Sequence, residues 1–356
     1  MARKQIKTIG VLTSGGDAPG MNAAIRAVAR TGLYHGLNVI GIRNGYQGLI
    51  DQEMAPMTER DVSYIINRGG TMLYTARCDE FRTAEGVKKA ADVCRANNID
   101  GIVTLGGDGT FRGAYDLSEE GIPCVGVPCT IDNDIAATDV TIGFDTAMNT
   151  VVELIDKIRD TGESHSRCNV IEVMGRQAGD IAIQTAISVG AIAAVVREYD
   201  VDIDAMIQKM IKARKAGKRN FIIIICEGMG KDYGPALVER IEAETGIETR
   251  LSILGYIQRG GSPTLRDRVL ATQMGAAAVN CLLMGDTNDV ICARGNDIVS
   301  VEMSYAVNLD NLYKNKLSDE QIKEIPPSQL FEMQKFIAAK KCYKDYIRNL
   351  IESVSL

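Results

Sequence analysis

Short apolar runs of four to seven residues recur along the chain, and helical patterns separate them. Seven of these runs predict β-strands: Thr8–Thr13, Asn38–Ile42, Gly101–Leu105, Cys124–Val127, Asn169–Val173, Phe221–Cys226 and Val290–Cys292. Amphipathic helices are predicted over Met21–Tyr34, Val87–Ala96, Ala147–Arg159 and Met206–Ala216. Nearly all-apolar strands that alternate with helices are typical of parallel sheets covered on both faces. The sequence therefore predicts a doubly wound α/β architecture.

The composition narrows the class of protein. With 356 residues, 46% apolar and 24% charged, the chain fits a globular protein of roughly two to three domains. Its net charge of −6 gives no overall basic surface, so neither nucleic acid nor a membrane is expected as a partner. The nine cysteines contain no Cys-x-x-Cys pair and give no support to zinc or redox motifs. Met1–Lys4 opens no signal-peptide pattern, and a cytoplasmic location is expected.

Two glycine-rich turns each follow a predicted strand, and the first of them leads into a predicted helix. In Ser14–Gly20, backbone amides lie at a helix N-terminus, where the helix dipole favours phosphate. A tight turn without a ligand is the alternative there, and the lack of a following lysine excludes a P-loop. In Gly106–Thr110, Asp108 lies among three glycines, an arrangement that suits Mg²⁺ arriving with a nucleotide. The second turn indicates a phosphoryl donor without naming the acceptor.

Two carboxylates and an amide fill the end of the run Pro128–Asp134, directly after the apolar stretch Cys124–Val127. Open α/β sheets place their chemistry at the carboxyl ends of strands. An alcohol that attacks phosphorus must lose its proton, and a nearby carboxylate accepts it. Asp132 and Asp134 are expected on an extended segment, where one serves as base and the other helps the metal. An Asx-rich turn is the alternative.

Arg176 and Arg259 each lie beside glycine after an apolar strand or turn. Arginine binds phosphate bidentately, although a surface charge is the alternative for any single arginine. His35 and His165, the only histidines, have no nucleophile–base or metal spacing around them, which argues against hydrolase and zinc chemistry.

The C-terminal segment differs in character from the rest of the chain. Ser318–Gln321 is a capping-box pattern, and Pro326-Pro327 interrupts the chain. Leu330, Met333 and Ile337 then recur at helical spacing. A helical extension that docks on its own domain is expected.

In order along the chain, these segments resemble the bacterial-type ATP-dependent phosphofructokinase family. The resemblance covers about Lys7 to Gly295 and rests on Ser14–Asn22, Gly106–Thr110, Thr130–Asp134, Met174–Arg176 and Gln258–Pro263. It implies two doubly wound, Rossmann-like α/β/α domains with the active site in the cleft between them. The implied domains are 1–140 with a return of about 251–310 for ATP, 141–250 for fructose 6-phosphate, and a helical extension over 311–356.

The resemblance implies a glycolytic kinase that moves the γ-phosphoryl group of MgATP to the 1-hydroxyl of fructose 6-phosphate. Asp132 is the implied general base beside Asp134, and Arg77 and Arg176 stabilise the transferred charge. The implied nucleotide residues are Gly16, Arg77, Gly107, Asp108, Gly109 and Thr110, with Asp108 on Mg²⁺. The implied sugar-phosphate residues are Thr130, Asp132, Arg167, Met174, Gly175, Arg176, Glu227, Arg250, Tyr256 and Arg259. In the family Arg167 and Arg250 reach a neighbouring subunit's site, which implies a homotetramer.

Two positions bear on the phosphoryl donor. Pyrophosphate-using relatives carry Asp where Gly109 stands and Lys where Cys129 stands. Gly109 leaves room for the α-phosphate and nucleoside, and the missing lysine removes a charge those enzymes use, so ATP is expected. Cys129 still departs from the glycine usual in ATP enzymes, and Tyr256 departs from a frequent histidine.

The family's allosteric pocket is matched only in part. Its phosphate-binding positions are filled by Arg26, Arg30, Arg159 and Lys218. Ile192 stands at an acidic position and Ala216 at a basic one. Classical ADP activation and phosphoenolpyruvate inhibition are therefore expected to be weak or absent.

Three alternatives share part of this pattern. A pyrophosphate-dependent phosphofructokinase is disfavoured by Gly109. An NAD-kinase-like enzyme shares Gly106–Thr110 but has no reason to carry Gln258–Pro263. A catalytically silent, sugar-phosphate-binding regulatory subunit is expected to lose Asp132 or Asp108, and both are present.

Overall fold

The computed structural model describes residues 6–285 and 287–354. Met1–Lys4 and the last two residues of the expected extension lie outside the described residues. The strands are β1 Thr8–Thr13, β2 Asn38–Ile42, β3 Met54–Pro56, β4 Gly101–Gly106, β5 Cys124–Pro128, β6 Cys168–Val173, β7 Ala193–Val195, β8 Phe221–Cys226, β9 Thr249–Ile253, β10 Asp289–Arg294 and β11 Asp297–Glu302. The α-helices are α1 Met21–Tyr34, α2 Gly45–Ile50, α3 Ala84–Ala96, α4 Asp108–Glu119, α5 Phe144–His165, α6 Asp180–Ser188, α7 Ile203–Lys215, α8 Tyr233–Thr245, α9 Leu265–Met284, α10 Met303–Tyr313, α11 Asp319–Glu324 and α12 Pro327–Val354.

The predicted alternation of strands and helices is confirmed. All seven predicted strands are present with ends that shift by at most two residues. The four predicted helices are also present, but the one predicted over Ala147–Arg159 runs from Phe144 to His165. The strands that were not predicted, β3, β7, β9 and β11, are short or partly exposed. β3, β9 and β11 lack the continuous apolar run that marks a strand buried on both faces. β7 is apolar and buried but has only three residues.

The chain forms two compact units. The first runs to Thr146 and resumes over Arg259–Met333, and the second comprises Ala147–Gln258 together with the chain from Gln334 onward. The chain passes back at Gln258, later than the expected position near 250, because β9 pairs with β6 inside the second unit. The expected extension likewise divides between the units within α12.

The first unit contains a seven-stranded sheet in the order β11-β10-β5-β4-β1-β2-β3. Its five inner strands are parallel, whereas β3 and β11 run antiparallel at the two edges. The five inner strands are the predicted ones, and the prediction of a parallel sheet is confirmed for them. The two antiparallel edge strands were not predicted. Helices α1 and α9 pack together, and α4 packs on α3 and α10.

The direction of winding in this sheet reverses between two neighbouring strands. The chain proceeds from β1 outward to β2 on one side, and from β4 outward to β5 on the other. β1 and β4 themselves are hydrogen-bonded in parallel. Ligands of open α/β sheets bind outside the carboxyl ends of strands at such a switch point.

The second unit contains a four-stranded parallel sheet in the order β7-β8-β6-β9. All six residues of β8 are buried, as expected for a parallel strand covered on both faces. A core of strand residues and of Met206, Ile207 and Met210 from α7 holds the helices to this sheet.

The C-terminal segment is helical, as predicted. The Ser318 side chain accepts the Gln321 N–H, and the Gln321 side chain accepts the Ser318 N–H, so the capping box is confirmed. Pro327 begins α12, where its missing N–H costs nothing. Among the described residues, every helix is too short or too polar to cross a membrane.

Candidate active site

The two glycine-rich turns meet at the switch point of the first unit. They follow β1 and β4, and the Ser14 N–H donates to the Leu105 carbonyl at 3.0 Å. The Thr110 hydroxyl donates to the Ser14 carbonyl at 3.1 Å. At Gly106 a Cβ would lie 2.4 Å from the Ser14 carbonyl oxygen. Glycine is thus required for the two turns to approach each other so closely.

The second turn opens onto the N-terminus of α4. Gly107 is the N-cap and Asp108 is the first helical residue, with its carboxylate accepting the Gly109 N–H at 2.8 Å. A Cβ at Gly107 or Gly109 would meet nothing within 4 Å. The space beside Gly107 and Gly109 at the helix N-terminus is therefore open, which leaves room for an anion to approach.

Arg77 lies on a loop that is tied to the first turn. The Thr75 hydroxyl donates to the Gly15 carbonyl at 2.7 Å, and the Thr13 hydroxyl donates to the Tyr74 carbonyl at 2.7 Å. Arg77 itself is exposed. Arg77 therefore lies close in sequence to Thr75, the residue that attaches this loop to the first glycine turn.

The run Thr130–Asp134 is a turn, so the expectation of an extended segment is wrong. β5 ends at Pro128, and Asn133 has a φ of 51°. The Asn133 side chain stabilises this conformation by accepting the Thr141 N–H at 3.0 Å. As a result, Asp132 and Asp134 lie in different surroundings.

Asp132 is buried, with 1% of the residue exposed. Its Oδ2 is 3.4 Å from the Thr130 hydroxyl, and its N–H donates to the same hydroxyl at 3.2 Å. Thr130 is fixed in turn, since its carbonyl accepts the Thr141 hydroxyl at 2.6 Å. The threonine therefore restricts the orientation of the Asp132 carboxylate.

Asp134 and Asp108 converge on one cation, Lys314. The ammonium lies 3.3 Å from Asp134 Oδ2, 3.6 Å from Asp108 Oδ2 and 2.9 Å from Asp310 Oδ2. Lys316 lies 3.5 Å from Asp108. The sequence motifs did not reveal Lys314. Its i, i+4 spacing from Asp310 is that of an ordinary surface ion pair on a helix.

The electrostatics of this cluster follow from its geometry. Burial opposes the charge of Asp108, but Lys314, the Gly109 N–H and Lys316 outweigh it, so the pKa of Asp108 is lowered. Burial also opposes the ammonium of Lys314, but the carboxylates raise its pKa above the usual value. At neutral pH Asp108 is therefore ionised and Lys314 is protonated.

Cys129 lies buried at the end of β5, where its backbone N–H donates to the Gly106 carbonyl at 2.9 Å. Burial raises the pKa of the Cys129 thiol well above the usual value. The thiol is therefore neutral at physiological pH and contributes no charge to the neighbouring turn.

In the second unit, the loops after β6 and β8 meet. The Arg176 N–H donates to Glu227 Oε1 at 2.7 Å, and the Met174 N–H donates to Gln258 Oε1 at 3.2 Å. Gly175 and Arg176 have φ values of 130° and 54°. The left-handed backbone turns the chain sharply after β6, and this places the predicted residues Met174, Gly175, Arg176 and Glu227 together.

Tyr256 and Arg259 belong to one short 3₁₀ helix but have different surroundings. Tyr256 is largely exposed. Arg259 packs its guanidinium against Gly16 and donates to the Asp17 carbonyl at 3.1 Å. Arg259 was predicted for the sugar phosphate, and the structure brings it to the first glycine turn.

Arg167 and Arg250 lie at the opposite edge of the second unit's sheet. Arg167 directly precedes β6, whereas Met174 directly follows it. The Arg167 Nε lies 2.9 Å from Glu248, and Arg250 pairs with the same carboxylate. Since β6 has six residues, roughly 20 Å of strand separates these arginines from the Met174 end. They do not belong to the same site as Met174 within one chain.

Comparison with known proteins identifies the family. A family model described as phosphofructokinase matches residues 8–282, well over half of the chain. The chain belongs to the phosphofructokinase family. Among its relatives is an ATP-dependent 6-phosphofructokinase of Alkaliphilus metalliredigens. The two are 52% identical over 308 residues, which cover 86% of this chain and 96% of that protein.

Solved phosphofructokinase structures share the fold. The phosphofructokinase from Saccharomyces cerevisiae superposes with a TM-score of 0.82 at 34% identity over 93% of this chain, which spans 50% of the yeast chain. A pyrophosphate-dependent phosphofructokinase from Marinobacter aquaeolei gives a TM-score of 0.75 over 93% of this chain and 92% of that chain. At 22% identity, this second likeness concerns the fold alone.

The residues expected to form an allosteric pocket lie in two pairs. Arg26 and Arg30 are neighbours on α1, and burial together with Arg30 lowers the pKa of Arg26. In the second unit, burial and then Arg159 and Lys209 lower the pKa of Lys218. Ile192 is buried and offers no carboxylate. The four cationic residues stay a predicted effector site, and the position expected to be acidic is filled by the apolar core residue Ile192.

Proposed function

We propose that this chain is an ATP-dependent 6-phosphofructokinase that converts fructose 6-phosphate and MgATP to fructose 1,6-bisphosphate and ADP. The observation that carries the proposal is the meeting of two glycine turns and the carboxylates Asp108, Asp132 and Asp134 after the neighbouring strands β1, β4 and β5. The names of relatives that share about half of its residues support the same reaction.

The nucleotide phosphates bind at the turn that opens α4. Gly107, Gly109 and Thr110 supply a helix N-terminus with open space in front of it. Gly16 and Arg77 complete this side from the first turn and its attached loop. A guanidinium aimed at the transferred phosphoryl group stabilises charge that develops in the transition state.

Mg²⁺ fits the carboxylates in the first unit. Asp108 and Asp134 already place one oxygen each within 3.6 Å of a single cation, the Lys314 ammonium. A magnesium ion takes one or two carboxylates and completes its shell with water and phosphate. When bound, the ion neutralises charge on the phosphates.

Asp132 acts as the general base. As the 1-hydroxyl oxygen bonds to the γ-phosphorus, its O–H bond breaks and the proton passes to the Asp132 carboxylate, while ADP leaves. Burial of Asp132 excludes water from this carboxylate, and Thr130 fixes its orientation. Asp134, whose carboxylate pairs with Lys314, is assigned to the magnesium ion.

The second unit binds the sugar phosphate at the carboxyl ends of β6 and β8. Met174, Gly175 and Arg176 form one loop and Glu227 the other, with Tyr256 from the segment that follows β9. Arg259 belongs to the first unit, and its role toward the sugar phosphate rests on the family resemblance. Arg167 and Arg250 lie at the amino edge, so we assign them to the site of a neighbouring subunit in a homotetramer. In their own chain both arginines pair with Glu248, and this assignment adds a phosphate group as a second partner.

ATP is the donor because neither position tied to pyrophosphate carries the required charge. Gly109 faces open space, and the buried Cys129 thiol is neutral.

We also propose a cytoplasmic location, where the free thiols of this chain remain reduced. With no acid at Ile192, the response to ADP and phosphoenolpyruvate is weak. Strong sigmoidality relieved by ADP in a rate titration would contradict that expectation.

A coupled assay with fructose 6-phosphate and Mg²⁺ tests the proposal by comparing ATP with pyrophosphate. Turnover with ATP alone is the expected result. Turnover with pyrophosphate would transfer the chain to the pyrophosphate-dependent class. Binding of fructose 6-phosphate without turnover from either donor would favour a silent regulatory subunit.

A further inference from the structure

One lysine of α12 lies between two carboxylates of the second unit. The Lys344 ammonium donates to Asp180 Oδ2 at 2.7 Å and to Glu198 Oε1 at 3.0 Å. Only 13% of the Lys344 side chain is exposed, against 19% for Asp180 and 25% for Glu198. These three charged groups are thus largely removed from water, and each depends on its partners for compensation of its charge.

Glu198 also holds the backbone of the loop that follows β6. Its Oε1 accepts the Gly179 N–H at 2.7 Å. The packing at Gly179 leaves no room for a side chain, since a Cβ there would lie 2.5 Å from Val196 and 2.9 Å from Glu198 Oε2. The loop Met174–Gly179 is therefore fastened at its far end by Glu198, as Arg176 is fastened by Glu227.

The part of α12 that carries Lys344 is seated on the same unit. The Gln184 side chain donates to the Tyr343 hydroxyl at 3.3 Å, and the Arg348 guanidinium lies 5.1 Å from the Tyr199 ring centroid. Ile347 and Ile351 are buried. These contacts fix the position of Lys344 independently of its own ion pairs.

We propose that Lys344 is a positioning residue for the phosphorylated sugar, acting through Glu198 and the Gly179 N–H on the loop Met174–Gly179. The assignment of this loop to the sugar phosphate rests on the proposed function. Without the ammonium, Asp180 and Glu198 are left as two like charges in a partly buried site. Glu198 then moves or becomes protonated, and the Gly179 N–H loses its acceptor.

The loop is expected to respond most, because the carboxylates that Lys344 contacts, Asp180 and Glu198, are not those assigned to phosphoryl transfer. Lys344 also lies outside residues 8–282, the part of the chain that the family model matches. The C-terminal helix thereby supplies a support for the sugar loop that is built from this chain's own terminal segment.

The test compares Lys344→Met with Lys344→Arg and with Lys341→Met, a matched control at an exposed position of the same helix. In Lys344→Met, KM for fructose 6-phosphate is expected to rise roughly 3- to 30-fold, the effect of disturbing a coupled contact network. The expected changes in kcat and in KM for ATP stay within about twofold. Lys344→Arg restores most of the affinity, and Lys341→Met changes neither constant.

Hydrogen exchange of the peptide that spans Met174–Asp180 provides a second readout that needs no turnover. Faster exchange in Lys344→Met, and not in Lys341→Met, is the expected result. Unchanged exchange or an unchanged KM for fructose 6-phosphate would overturn the proposal. A fall in kcat together with a rise in both KM values and a lower melting temperature would also overturn it, since that pattern marks a purely structural role. If the wild-type chain fails to phosphorylate fructose 6-phosphate, the proposed function fails, while exchange still decides whether Lys344 holds the loop.

Discussion

At the carboxyl edge of each sheet a lysine contacts at least two carboxylates, but these carboxylates have different roles in the two units. In the first unit, Lys314 contacts Asp108 and Asp134 themselves, the carboxylates assigned to the metal. In the second, Lys344 contacts Asp180 and Glu198, and Glu198 in turn holds a loop backbone. Both lysines lie within residues 311–356, the C-terminal extension expected from the sequence. A lysine that touches reacting groups affects chemistry, whereas one that touches their supports affects binding, so substitutions should separate into changes of kcat and changes of KM.

Asp132→Asn breaks the first edge most severely. An amide cannot accept the proton of the attacking hydroxyl, so kcat is expected to fall by roughly 10²–10⁴-fold. KM for fructose 6-phosphate should change little, because the loop after β6 is untouched. Steady-state kinetics with each substrate varied separately measures both constants.

Asp297→Asn is the matched control for this substitution, at an exposed position of β11. It removes one carboxylate from the same unit and should leave kcat unchanged. If Asp132→Asn kept near wild-type turnover, Asp132 would lose the role of base. If only the affinity for fructose 6-phosphate fell, the expected separation between kcat effects in the first unit and KM effects in the second would not hold.

Lys314→Met tests the counterion of the first edge through stability. The lowered pKa of Asp108 means that its contribution is present above its unfolded pKa and is lost as pH falls. The raised pKa of Lys314 means that its contribution is present at neutral pH and is lost as pH rises through its folded value. The pairing thus stabilises the fold between roughly pH 4 and pH 10. Its loss should cost roughly 2 to 3 kcal/mol at pH 7, somewhat less than breaking a fully buried pair.

Urea unfolding at pH 7 and at pH 3 measures this contribution, and the difference from wild type should shrink at the lower pH. Lys316→Met is the control, since Lys316 also lies near Asp108 but is 46% exposed. It should cost less than about 1 kcal/mol. Calorimetric titration with Mg²⁺ alone should give tighter binding in Lys314→Met. Unchanged Mg²⁺ affinity would mean that the lysine does not compete for these carboxylates.

The sheets were predictable from sequence because their central strands are apolar without interruption. β1, β4, β5 and β8 are buried along their whole length, so burial alone fixes their pattern. β9 and β11 alternate with exposed residues and read as loops. The turns that follow the central strands were predictable for the same reason, since the end of a buried strand locates the edge where ligands bind.

The two lysines were not predictable. Lys314 reaches Asp134 across 180 residues, and Lys344 reaches Asp180 across 164. No local spacing encodes such a contact, and a single lysine on a helix is usually a solvated charge. The conformation of Thr130–Asp134 was missed for a different reason. An asparagine in the left-handed region, Asn133, ends the extended geometry that the preceding strand suggests.

The last prediction concerns the two opposite edges of the second unit's sheet. Arg167→Ala should raise KM for fructose 6-phosphate by roughly 10- to 100-fold, the value of a charge-assisted phosphate contact. Arg219→Ala is the control, because Arg219 lies at the same amino edge and donates to Ser166. It should leave KM unchanged.

Mixing Arg167→Ala with Asp132→Asn subunits then decides whether the site is shared. If Arg167 serves a neighbour, some sites in hybrid assemblies combine Asp132 from one subunit with Arg167 from the next. About a quarter of the sites would be intact after random exchange in a symmetric assembly. Activity above the sum of the two parents is therefore expected at low fructose 6-phosphate. If mass measurements show hybrids that recover no activity, Arg167 acts within its own chain or not at all. The roughly 20 Å of strand between the two edges makes the first of these hard to reconcile with one site.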